Sequence, residues 1–84
     1  MYETTEEQKV RVFEIAAVMA QTGISPSFIM KAIDFACQYE GVYELMVIWL
    51  TETDSVQKDY TITSIQEIID DQTKKLSYLL NSLI

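Results

Sequence analysis

The chain has 84 residues, 49% of them of apolar type, and a formal net charge of −7 from 13 acidic and 6 basic side chains. That length suits one domain and the apolar share excludes a disordered chain, while 2 Gly and 1 Pro are too few for the turns of an all-β fold. With one Arg and a single adjacent pair, Lys74-Lys75, a broad basic face for nucleic acid or anionic membrane is disfavoured.

Helix one is predicted over about 5–22. Thr4 and Glu7 read as a capping box, and Glu6 and Glu7 suit the positive end of the helix dipole. Val10, Phe13, Ala17 and Ala20 repeat at helical spacing, and Val12, Ile15, Ala16 and Met19 widen that stripe. A helix apolar almost all round from Val12 to Ala20 is expected at the centre of its bundle or of an oligomer. Gly23, free to take positive φ, ends it.

Helix two is predicted over about 26–40. Ser25 is the N-cap and Pro26 sits at N1, where its missing N–H costs nothing. Phe28, Ile29, Ala32, Ile33, Ala36 and Cys37 share a face. Cys37 is the only cysteine, so no intrachain disulfide forms, and a small buried side chain rather than a reactive thiol is expected there. Gly41 marks the end of this helix or a bend.

Helix three is predicted over about 42–52 from Val42, Leu45, Met46, Trp49 and Leu50 at i, i+3, i+4, i+7, i+8. A strand from Tyr43 to Leu50 is the alternative, but no second strand of equal quality exists to pair with it. Val47 and Ile48 point partly away, so a second face is sandwiched or offered to a partner. Trp49, the largest apolar residue on the stripe, is expected in the core.

The polar stretch from Thr51 to Thr61 reads as a linker within one domain, residues 1–84. Helix four follows over about 64–82, with Ser64 and Glu67 as a second capping box. Ile62, Ile65, Ile69, Gln72, Leu76, Leu79 and Leu83 are spaced 3, 4, 3, 4, 3, 4, an a/d heptad seam with one polar member. Ile68 and Leu80 broaden it beyond a two-stranded seam. Packing inside the chain's own bundle, against helices one and three, is therefore expected ahead of a dimer made through the same layer, and the apolar end Tyr78–Ile84 is expected to dock.

The expectation is thus an all-α, small four-helix bundle. Below roughly 70–80 residues a core seldom supplies more than about 3–5 kcal/mol, so self-association or a partner protein is the expected supplement.

Catalytic parts are missing from the sequence. There is no His for a general base, a triad or a zinc site, and no Gly-rich loop for a phosphate. Glu40 and Glu44, one turn apart, and the adjacent Asp70 and Asp71 read as solvated faces. No enzyme activity, cofactor or metal is expected. The acidic start, Met1 to Glu7, lacks a signal-peptide core, and the longest apolar run, Leu45 to Leu50, falls far short of the ~20 residues of a membrane span. A cytoplasmic location is expected, where a lone cysteine stays reduced.

The stretch from Ala16 to Ala36 locally resembles a helix-turn-helix unit of the repressor type, as in the phage Cro proteins: Gly23 in the turn, Ile24 after it, Ile29 within the second helix, then Lys31-Ala32-Ile33. The resemblance implies a second helix entering the major groove, with Ser25, Ser27, Phe28 and Lys31 at the base-reading end. It departs from that pattern at Met19, where a small residue is usual, and in having no Arg, Asn or Gln among the readers. The leading expectation is a small acidic regulatory or adaptor protein, of a class common among phage and mobile elements. It would bind another protein or a second copy through Tyr43, Val47, Ile48, Ile62, Ile65, Ile69, Gln72, Leu76, Leu79, Leu80 and Leu83. A DNA-binding regulator is the alternative.

Overall fold

A computed structural model describes residues 4–83. Four helices follow in order: α1 Glu6–Gln21, α2 Pro26–Gln38, α3 Glu40–Thr51 and α4 Ser55–Ser82, with no strand among the described residues. The all-α four-helix bundle expected from the sequence is what forms. α2 and α3 each touch every other helix, whereas α1 and α4 make no contact with each other among the described residues. The central pair is therefore α2 and α3, not α1, and α4 lies on α2 and α3 rather than on α1 and α3.

The helix ends differ in detail from the sequence pattern. The capping box of α1 is one residue later than Thr4 and Glu7: the Gln8 N–H donates to Thr5 Oγ1 at 3.1 Å and the Thr5 N–H to Gln8 Oε1 at 2.9 Å. Thr4 instead donates its hydroxyl to the Cys37 carbonyl at 2.6 Å, tying the start of α1 to the end of α2. At the other end the Ile24 N–H reaches Met19 O and the Gly23 N–H reaches Ala20 O, both at 3.2 Å, a Schellman closure with Gly23 at φ +86°. A Cβ at Gly23 meets nothing within 4 Å, so the cost of Gly23→Ala is backbone strain alone. About 1 kcal/mol is expected, read as a fall in Tm of roughly 4–8 °C.

Ser25 precedes α2 but makes no cap bond; its hydroxyl lies 3.3 Å from that of Ser27. The break between α2 and α3 falls at Tyr39, extended at φ −129° and ψ 116°, and Gly41 sits inside the first turn of α3.

The largest departure is at residues 51–61. The connection to α4 is only Glu52 to Asp54, and Ser55 to Thr61 is helical. Asp54 caps the helix by accepting the Val56 N–H at 2.9 Å, while Glu52 Oε1 accepts the N–H groups of Thr53 and Asp54. Ser64 is not a cap: it lies mid-helix and returns its hydroxyl to the Tyr60 carbonyl. Lys58 anchors the added turns, its Nζ 2.6 Å from the Trp49 carbonyl and 4.0 Å from the Trp49 ring centroid. A cation there also meets the negative end of the α3 dipole.

One apolar cluster draws on all four helices: Val12, Ile15, Ala16 and Met19 of α1, Ile29, Ala32 and Ala36 of α2, Val42, Met46 and Trp49 of α3, and Ile65 and Ile69 of α4. Trp49 is in the core as expected, whereas Cys37, expected to be buried, is only half-buried. The α1 stripe is reversed from its sequence reading. Val10, Phe13, Ala17 and Ala20 face solvent, and the residues that widened their stripe are the buried ones.

Candidate interaction surface

α4 outlasts its supports. Its 28 residues span about 42 Å at the usual helical rise, which accounts for most of the molecule's 46 Å long axis. α2 and α3 have 13 and 12 residues and end well short of that. The radius of gyration is 13.6 Å, against about 12 Å for a compact domain of this length. The excess is the projecting C-terminal half of α4.

The heptad seam is divided by this geometry. Ile65 and Ile69, named from the sequence as partner contacts, are 0% and 2% exposed in the chain's own core, and Ile62 packs half-buried beside them. Gln72 is half-buried at the transition. Beyond it Leu76, Leu79, Leu80 and Leu83 are 59, 59, 53 and 83% exposed. The C-terminal turn expected to dock is thus exposed through Leu83, and Ile84 lies outside the described residues. Only the end of α2, at Phe35 and Tyr39, reaches as far as Leu76 and Leu79, and it leaves them more than half exposed. Tyr78 is exposed as well, though it points away from the leucine stripe by its position in the heptad.

From Gln72 onward the charge is of opposite sign to the rest of the chain. All 13 acidic residues precede Gln72, and Lys74 and Lys75 are the only charges from Gln72 to Leu83. Lys75 pairs with Asp71 one turn back at 3.3 Å, an exposed pair of little energetic weight. Lys74 makes no ion pair among the described residues.

A second open surface lies between α1 and α3, on the side that α4 leaves uncovered. It runs through two adjoining hollows that share Arg11 and Tyr43, one lined also by Val10 and the other by Val47 and Ile48. Tyr43 and Val47 are half-buried, and Ile48 is exposed. Its rim carries Glu6, Glu7, Glu14 and Glu44 against Arg11. Sequence reasoning found the α3 side of this groove in Tyr43, Val47 and Ile48. It missed Val10, whose helical spacing looked like core.

A further notch forms where the α2 end meets the projecting segment. Phe35 and Tyr39 stack there with ring centroids 5.6 Å apart, beside Gln72, Leu76 and Leu79.

The positions suggested for DNA reading lie at the start of α2. Ser25, Ser27 and Lys31 are exposed, and Phe28 is half-buried against the core. Among the described residues no three His, Cys, Asp or Glu side chains gather as a metal site, and no helix is long and apolar enough to cross a membrane. Comparison with protein-family models, with curated proteins and with solved structures finds no match to this chain.

Proposed function

We propose that this chain is a small non-enzymatic regulatory or adaptor protein that acts in the cytoplasm by laying the projecting half of α4 on another protein. The observation that carries the reading is the run Leu76, Leu79, Leu80 and Leu83, held at helical spacing beyond the end of the bundle with each side chain more than half exposed. An amphipathic helix end of this kind fits the helix-in-groove mode, with anchors at i, i+3, i+4 and i+7. Full burial of a leucine from water is worth about 1.5–3 kcal/mol, and these side chains, each more than half exposed, keep more than half of that to gain on docking.

The test compares wild type with Leu79→Ser/Leu83→Ser as tagged bait. The expected result is a specific protein retained by the wild type and lost by the variant, while the far-UV circular dichroism of the two remains alike. Equal retention by both would remove α4 from the reading. The alternative, a helix-turn-helix regulator, draws on the Gly23 turn and the exposed Lys31. It requires selection of a short DNA site at low salt that Lys31→Glu abolishes.

A further inference from the structure

Two open surfaces of this chain complement each other. The projecting segment of α4 is apolar and basic, and the groove between α1 and α3 is apolar with an acidic rim. They cannot meet within one molecule, because α4 runs as one unbroken helix on α2 and α3 and makes no contact with α1 among the described residues. We propose that a second copy supplies the missing contact, each chain laying its α4 end in the α1/α3 groove of the other. This inference rests on the reading of the α4 end as a docking element and names its partner.

The first argument is repetition of a packing already present. The upper half of the seam, Ile62, Ile65 and Ile69, fills the space that α2 and α3 offer together. The lower half carries the same a/d pattern in Leu76, Leu79 and Leu83. The α1/α3 groove is likewise formed by two touching helices, and it is open.

Charge decides between this arrangement and a tail-to-tail pair. Pairing two α4 ends sets the Lys75 residues that flank the two leucine stripes beside each other, each offset only by its own exposed Asp71 pair, while Lys74 lies on the far face. Laying each end across the groove places Lys75, which flanks the leucine stripe, near Glu14 and Glu44. Opposite charges across an interface fix register and reject other pairings.

Area favours it too. One half-exposed large apolar side chain offers roughly 60–100 Å². A single end, whether against its twin or in one groove, then buries roughly 500–700 Å² in total, below the ~1,000 Å² of a specific interface. The reciprocal arrangement doubles that contact and closes on a two-fold axis, leaving no end free to propagate.

Two charge variants test the pairing. Lys74→Glu/Lys75→Glu gives an acidic end on an acidic groove, and Glu14→Lys/Glu44→Lys gives a basic end on a basic groove. Measured by sedimentation equilibrium up to 200 µM, wild type is expected as a dimer, and each variant alone at least tenfold weaker. Mixed one to one, they restore the dimer as a heterodimer, since both of its contacts again pair opposite charges. Wild type that stays monomeric at 200 µM overturns the self-docking and leaves the bait experiment above to judge the wider reading. A dimer that neither variant weakens, or no recovery on mixing, overturns the proposed pairing in favour of a different face.

Discussion

Trp49→Ala is expected to lower the unfolding free energy by about 3–5 kcal/mol, comparable with the whole stability available to a domain of this size. Trp49 is 3% exposed and lies in the cluster shared by all four helices. Its loss leaves a cavity between α3 and the first turns of α4. It also strips the ring from beneath Lys58, which then holds only the Trp49 carbonyl. Urea unfolding followed by far-UV circular dichroism reads the effect, since the only tryptophan is gone. Trp49→Phe keeps most of the volume and is expected to remain folded in water. Lys58→Gln, which leaves the indole in place, is expected to cost about 1 kcal/mol. A Trp49→Ala cost no greater than that of Lys58→Gln would show that the cluster does not depend on the indole.

The Lys58–Trp49 contact also explains why the start of α4 was not legible in the sequence. From Ser55 to Thr61 the buried side chain is a threonine, its hydroxyl satisfied by the Gln57 carbonyl at 2.9 Å, and the covering group is the stem of a lysine. Hydrophobic periodicity sees neither. The α3 stripe, by contrast, was readable because Val42, Met46 and Trp49 are buried at regular intervals.

α1 lies where the sequence places it, but its core face was not legible, for the opposite reason. It carries apolar residues on two faces, and periodicity cannot say which of two stripes meets the core. That choice was made by the neighbours: α2 and α3 take Val12, Ile15, Ala16 and Met19, leaving Val10 and Phe13 outside. The candidate surface was half legible in the same way. The heptad pattern identified the face of α4 that packs into the core from Ile62 to Ile69. How far along that face burial continues depends on where α2 and α3 end, a property of other segments of the chain.

The two halves of that face are expected to respond differently to the same kind of truncation. Ile65→Ala removes a fully buried side chain from the cluster and is expected to cost about 2–5 kcal/mol at any protein concentration. Leu79→Ala removes a side chain that touches solvent in the single chain, so the monomer loses within about 0.5 kcal/mol. Where a second copy covers Leu79, however, association adds to stability by mass action and Tm rises with concentration. Thermal melts at about 2 and 200 µM, a hundredfold apart, separate the terms. Wild type and Ile65→Ala are each expected to show an upward shift between the two concentrations, with Ile65→Ala lower at both. Leu79→Ala is expected to match wild type at the low concentration and to lose the shift at the high one. A Leu79→Ala protein as unstable as Ile65→Ala when dilute would place the end of α4 in the chain's own core, and one that keeps the full concentration shift would remove Leu79 from the contact between copies.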